Sequence, residues 1–160
     1  MDAATSTSAG AYDALLAAAK ALCDDFAAKA DSQTIVSHFS RDATAFEHGS
    51  PTFASFLGRE FKGRDGVTEY FGLLQRFLEF ANMSFSEYFV DERQGRVSVK
   101  GKASFTWLST GVSWDEVFTY VLDFVDEDGG WKVSRYQVWA DTGALYLARL
   151  GQRAQDISSF

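Results

Sequence analysis

Ser113-Trp114-Asp115-Glu116-Val117-Phe118-Thr119-Tyr120-Val121-Leu122-Asp123-Phe124-Val125-Asp126 decides the fold. Side chains alternate across a strand, so Trp114, Glu116, Phe118, Tyr120, Leu122 and Phe124 share one face, and Asp115, Val117, Thr119, Val121 and Asp123 share the other. Working outward, Ser84–Glu92, Arg96–Ser109 and Gly130–Asp141 are strand-like too. They are joined by the turn-forming stretches Arg93-Gln94-Gly95, Thr110-Gly111 and Glu127-Asp128-Gly129-Gly130. Strands well beyond about five or six residues require a bent sheet, and a bent sheet has a concave side for helices to cover. Hairpin-linked strands preceded by helices predict an α+β order and exclude a doubly wound parallel sheet with a nucleotide at its switch point.

Three helices are predicted ahead of the sheet. Over Ala11–Ala30, Tyr12, Leu15, Leu16, Ala19, Leu22, Cys23 and Phe26 recur at helical spacing. Asp31-Ser32 supplies a cap for a short helix over Gln33–Phe39. After the turn Gly63-Arg64-Asp65-Gly66, with Asp65 as cap, Val67–Ala81 carries an inward stripe of Val67, Tyr70, Phe71, Leu74, Phe77, Leu78 and Ala81. A last short helix is expected over Thr142–Leu150, capped by Asp141 or Thr142. Residues 1–10 read as a disordered tail, 11–150 as one domain and 151–160 as a second tail.

A net charge of −7 and a pI near 4.7 disfavour nucleic acid and anionic membrane surfaces as partners. The start lacks the basic and apolar blocks of a secretory signal, and no apolar run reaches membrane-spanning length, so a cytoplasmic location is expected. Aromatic residues make up 16% of the chain, more than an ordinary core needs, and some are expected to line a cavity or a subunit contact. Cys23, the sole cysteine, has no partner for an internal disulfide and reads as a small core residue. The two histidines, His38 and His48, fall in no metal-binding spacing, and no phosphate-cradling glycine loop or Gly-x-Ser-x-Gly elbow is present. No metal and no cofactor are expected.

The order helix, short helix, Asp42 before a short strand over Ala43–Glu47 with His48 at its end, then Gly63-Arg64-Asp65-Gly66 opening a helix resembles the nuclear transport factor 2-like superfamily. Within it the chain is most similar to SnoaL-like domains. The likeness continues through Thr110-Gly111, Trp114-Asp115-Glu116, Trp131-Lys132-Val133 and Trp139-Ala140-Asp141. It implies a cone-shaped α+β barrel of N-terminal helices on a strongly curved, mostly antiparallel sheet, one that often dimerises through that sheet. Its members include polyketide cyclases, ketosteroid isomerase, scytalone dehydratase, limonene-epoxide hydrolase and non-catalytic binding modules. The enzymes mostly perform acid–base chemistry on an apolar small molecule without a cofactor. Fold alone therefore does not fix function.

Acid–base residues are the candidates, because an apolar pocket moves carboxyl or imidazole titration toward neutrality. His48, beside Phe46 and Gly49, is the preferred catalytic residue; the alternative is a solvent-facing loop histidine. Glu116 and Tyr120 are polar tips amid the rings of one strand face. Both faces carry apolar groups, so the alternation leaves open which lines the pocket. Asp141 is either a base or orienting acid, as the resemblance implies, or the N-cap of the terminal helix. Tyr70 and Tyr88 are candidate donors to an oxyanion. Trp107, Trp114, Phe118, Gln137 and Trp139 are expected to contact substrate. An aspartate of the limonene-epoxide hydrolase pattern falls at Gln137 here, and the histidine pair of scytalone dehydratase has only His48 as a match, so neither mechanism carries over.

The loop Gly49–Lys62 is unusually apolar, with Phe53, Phe56, Leu57 and Phe61. It is expected either to close the pocket mouth as a lid, with Phe53 or Phe56 on the ligand, or to plug the cone as permanent core. The predicted function is a cofactor-independent isomerase, cyclase or dehydratase acting on an apolar oxygenated metabolite such as a polyketide or terpenoid. The alternative is a non-catalytic small-molecule-binding or dimeric scaffold domain. A homodimer is expected, because helices can cover only one face of a sheet that carries Val117, Val121 and Val125 on the other.

Overall fold

The computed structural model describes residues 8–158. Its elements are α1 (Ser8–Ala27), α2 (Ser32–Ser37), β1 (Phe39–Glu47), β2 (Glu60–Lys62), α3 (Gly63–Phe77), β3 (Leu78–Asp91), β4 (Arg96–Trp107), β5 (Val112–Glu127), β6 (Gly130–Trp139) and α4 (Thr142–Arg149), then a single 3-10 turn at Ala154–Asp156. Six strands form one open, curved sheet in the order β2-β1-β6-β5-β4-β3, antiparallel throughout except where β1 runs parallel to β6. The four helices pack on this mostly antiparallel sheet, giving the α+β cone. Among the described residues no helix is long and apolar enough to cross a membrane.

The curvature has local causes. β3 shifts register twice against β4, between Ala81 and Ser84 and between Ser86 and Phe89. Asn82 and Glu87, with φ of 55° and 56°, adopt the left-handed conformation at those shifts. Each bulge bends the strand and increases its twist. A third shift lies in β6, where Asp123 pairs with Arg135 but Phe124 pairs with Val133, leaving Ser134 as the extra residue. Its hydroxyl donates to the carbonyl of Asp123 at 3.2 Å.

The core lies between the concave sheet face and the helices. From α1, Leu15, Ala19, Leu22, Cys23 and Phe26 of the predicted stripe are buried, while Leu16 is half-buried and Tyr12, in the helix's first turns, is exposed. Phe26, Phe39, Tyr70, Phe71, Tyr120 and Tyr136 form one ring cluster with centroids 4.9–6.2 Å apart, the tilted and edge-on geometry that aromatic quadrupoles favour. α2 begins where Asp31 accepts the amide of Thr34 at 2.8 Å. Asp65 is not the cap of α3: the helix opens at Gly63 and places Asp65 in its first turn.

Several boundaries differ from expectation. The first seven residues of the expected N-terminal tail lie outside the described residues, while α1 already begins at Ser8. The last turn predicted for α3 is strand, because Leu78–Ala81 pairs with Ser104–Trp107. Leu78 and Phe80 fit both a helical and an alternating pattern, and the open β4 edge decides between them. The loop after β1 is neither long nor free. Leu57 bridges Glu47, Glu60–Lys62 pairs with Thr44–Phe46, and Ala54, Phe56, Leu57 and Phe61 are almost fully buried. Gly58, at φ 64°, could not carry a side chain without meeting the carbonyl of Gly49 at 2.6 Å. The segment is a plug in the core, not a lid.

Candidate active site

The cone encloses a cavity of about 380 Å³, within the range of small-molecule sites. α1 contributes Phe26, α3 contributes Tyr70 and Phe71, β5 contributes Trp114, Glu116, Phe118 and Tyr120, and β6 contributes Tyr136 and Val138. Glu47 enters from the end of β1, and Asp141 from the cap of α4.

The backbone explains each placement. From Ala43 onward the buried residues of β1 are Ala43, Ala45 and Glu47, so alternation aims Glu47 inward and its neighbour His48 outward. On β5 the register with β4 is unbroken from Val112 to Asp123, and Trp114, Glu116, Phe118 and Tyr120 stay on one face. On β6 the bulge at Ser134 reverses the phase, so Val133, Tyr136 and Val138 are all buried in the core. Phe118 approaches the backbone of β4 so closely that a methyl group at Gly101 would collide with its ring.

Two carboxyls in this cavity are held far from their usual titration. Glu47 is only 6% exposed, and burial pushes its pKa up to about 7. The hydroxyl of Tyr70, donating to Glu47 Oε2 at 2.6 Å, opposes that rise, and the charge of Glu116 adds to it. Glu116 is also pushed up to about 7, chiefly by burial. Its Oε1 accepts the Trp114 indole N–H at 3.3 Å and the Asp141 backbone N–H at 3.0 Å, and both donors favour the carboxylate. Burial raises Tyr70, Tyr120 and Tyr136 well above the ordinary tyrosine range, so all three keep their hydroxyl protons. Lys29 and Glu79 stand among the residues of the cavity wall, with the Lys29 Nζ 5.0 Å from the centroid of the Phe80 ring.

Six of the residues singled out from sequence meet in this cavity: Tyr70, Trp114, Glu116, Phe118, Tyr120 and Asp141. Asp141 is the N-cap of α4, its Oδ1 accepting the amide of Ala144 at 3.0 Å, and its backbone amide serves Glu116. The others lie elsewhere. His48 sits on the far side of the sheet, stacked on Trp139 at 4.1 Å with its Nε2 3.0 Å from Gln137 Oε1. Gln137 and Trp139 share that outer face because of the Ser134 bulge. Tyr88 lies under α1 beside Cys23, whose thiol burial pushes up to about 12. Trp107 stacks on Phe77 at 5.5 Å, and its indole donates to Ser109 Oγ at 2.9 Å. Phe53 stacks on Tyr146 at 4.6 Å, and Phe56 packs near Phe77 in the plug.

Glu47 and Tyr136 are the members the sequence did not disclose. The phase Ala43, Ala45, Glu47 was there to find, but the bulk of Phe46 favours the opposite phase. Among the described residues no three His, Cys, Asp or Glu side chains cluster as metal ligands.

The same cone occurs in solved structures. A nuclear transport factor 2-like protein from Burkholderia pseudomallei aligns with a TM-score of 0.67 at 16% identity, over 81% of this chain and 92% of its own. TerC, co-crystallised with polyporic acid, aligns at 0.68 and 21% identity over 82% and 95%. A ketosteroid isomerase-like protein from Erwinia carotovora atroseptica aligns at 0.61 and 18% over 81% and 95%. The chain has the nuclear transport factor 2-like fold. At these identities the likeness is one of fold. No family model matches the sequence, and no curated protein does.

Proposed function

We propose that this protein is a cofactor-independent acid–base enzyme, of the isomerase, cyclase or dehydratase kind, acting on an apolar oxygenated small molecule enclosed by the cone. One observation carries the proposal: two buried carboxyls, Glu47 and Glu116, line one aromatic cavity, where burial pushes both up to about 7. Groups poised at the working pH exchange protons most effectively, and groups whose surroundings differ take different roles.

Glu116 is the base. Two N–H donors on one oxygen favour its ionised form and leave Oε2 for a substrate C–H or O–H. Glu47 is the acid, buried more completely and facing the cavity beside Tyr70. The Tyr70 hydroxyl is committed to Glu47, so Tyr120 and Tyr136 are the donors for a carbonyl oxygen as it gains charge. Convergent titratable groups favour an enzyme over a purely apolar binding module.

The test is deuterium incorporation from D2O into a panel of enolisable bicyclic ketones, followed by proton NMR. The wild type should exchange α-protons faster than buffer, and Glu47→Gln and Glu116→Gln should each lose most of the excess. Equal rates for the wild type and the double variant would remove the enzyme and leave the binding module.

The outer sheet face supports a homodimer as the working unit. Val117 and Trp139 are 55% and 43% exposed there. A second copy related by a twofold axis covers these apolar groups.

A further inference from the structure

The cavity holds carboxyls without a matching cation. The titratable and charged groups facing Glu47 and Glu116 are Tyr70 from α3, Glu79 from β3, Tyr120 from β5, Tyr136 from β6, Asp141 at the cap of α4, and Lys29 after α1, with Cys23 of α1 one layer behind Tyr120. Lys29 alone can be positive, and it is engaged with the face of Phe80. Among the described residues no arginine or histidine lines the cavity. An anionic ligand would therefore meet repulsion without a counter-charge. A neutral ligand would leave any ionised carboxyl unpaired in apolar surroundings, which is costly.

A cation is the complement that satisfies both features of the wall. The carboxyls offer charge, and the rings of Phe26, Phe71, Phe105, Trp114, Phe118 and Tyr120 offer the electron-rich faces that attract alkylated ammonium groups. We infer that the ligand of this cavity carries a basic nitrogen, a tertiary or quaternary amine, held between Glu47 and Glu116 with its N-alkyl groups against the aromatic wall. The inference rests on the same site as the proposed proton transfer and narrows its substrate to an oxygenated molecule that also bears an amine.

A permanent cation favours the ionised carboxyls. Its binding displaces protons, and its affinity rises as the pH is raised through about 7, the range to which Glu47 and Glu116 are pushed.

The probes are phenyltrimethylammonium and its uncharged carbon isostere tert-butylbenzene, titrated into the full chain and followed by backbone amide shifts. At pH 8 the ammonium should bind at least tenfold more tightly than the isostere, and more weakly at pH 6. Glu116→Gln and Glu47→Gln, checked as folded from the same spectra, should each cut ammonium affinity by about tenfold and leave the isostere unchanged. Isostere binding as tight as that of the ammonium at pH 8, or ammonium affinity indifferent to both substitutions, overturns the inference. The deuterium experiment separates the two ideas. With ketones that bear a tertiary amine added to the panel, exchange with no ammonium preference refutes the amine and leaves the proton transfer, whereas ammonium preference with no exchange on any of these ketones supports the amine and refutes the enzyme.

Discussion

Replacing Glu47 by Gln should make the protein more stable in alkali, and the magnitude follows from the burial of the carboxyl. The folded chain holds the Glu47 proton up to about pH 7, whereas the ordinary value is 4.5. Between those values the folded state binds more protons than the unfolded one, so stability falls as pH rises across that window and has fully declined above it. At 1.36 kcal/mol per pH unit, the loss is about 3 kcal/mol. An amide keeps an oxygen to accept the Tyr70 hydroxyl, now 2.6 Å from Glu47 Oε2, and carries no charge to desolvate. Urea denaturation followed by tryptophan fluorescence between pH 5 and 9 gives the comparison. Near pH 5 the two proteins should lie within about 1 kcal/mol, the size of one hydrogen bond exchanged for a similar one. At pH 8.5 the variant should be more stable by about 3 kcal/mol, or about 6–12 °C in Tm for a chain of this length. Glu116, raised in the same way, should give the variant a residual slope of the same sign. Parallel curves for the two proteins, or a variant less stable at pH 8.5, would refute a Glu47 that is buried neutral.

Phe56→Ala tests the plug: a fully buried ring should cost about 3–5 kcal/mol with ligand affinity nearly unchanged, and a loss of affinity at constant Tm would restore the lid. Gly101→Ala drives a methyl group into Phe118; it should cost about 1–3 kcal/mol through overpacking and tilt Phe118 into the cavity, seen as weakened binding of phenyltrimethylammonium. Trp114→Phe removes one donor from Glu116, so the carboxyl should titrate higher and the acidic limb of the exchange rate should move to higher pH. On the outer face, Val117→Asp should convert a sedimenting dimer into a 17.7 kDa monomer; a wild type that is already monomeric at micromolar concentration removes the dimer.

What could be read from the sequence depended on whether a strand kept its phase. β5 carries no irregularity between Val112 and Asp123, so simple alternation groups Trp114, Glu116, Phe118 and Tyr120 correctly. β6 is equally aromatic, but Ser134 inserts one residue, and every side chain beyond it changes face. Gln137 and Trp139 were lost to the outer surface by that single residue, and Tyr136 was gained. No residue type announces such a bulge, since serine occurs in regular strands as readily. β1 hides its phase differently. Its inner residues Ala43 and Ala45 are small and fully buried on a strand against which α3 packs, so the bulkier Phe46 marks the wrong face. His48 is preferred on sequence for its titration range and its place at the strand end, and the phase of β1 turns it away from the cavity. The helical stripes of α1 and α3 were legible because four or more turns average out any one ambiguous position. The plug was ambiguous because its hydrophobic residues follow no period, and only the pairing of β2 with β1 decides where they go.

The distribution of the two carboxyls over the sheet has a mechanistic consequence. Glu47 pairs with Val138, and Val138 pairs with Tyr120, so these three lie in one row across β1, β6 and β5. Glu116 lies four residues from Tyr120 along β5, about 13 Å of extended strand, shortened in space by the curvature of the sheet. The carboxyls thus do not share a proton across one hydrogen bond, as a catalytic dyad in contact would. They face one cavity from different rows of the sheet, with Tyr120 in the row of Glu47 and Tyr136 one row further from Glu116, opposite Leu122. Such spacing suits a reaction that removes a proton at one position and delivers one at another. It also ties the base to the end of the chain's last helix. The residue whose side chain starts α4, Asp141, is the residue whose amide holds Glu116 Oε1. A change that frays the first turn of α4 should therefore release Glu116 without touching it, raising its titration and slowing exchange while Glu47 and the apolar walls stay in place.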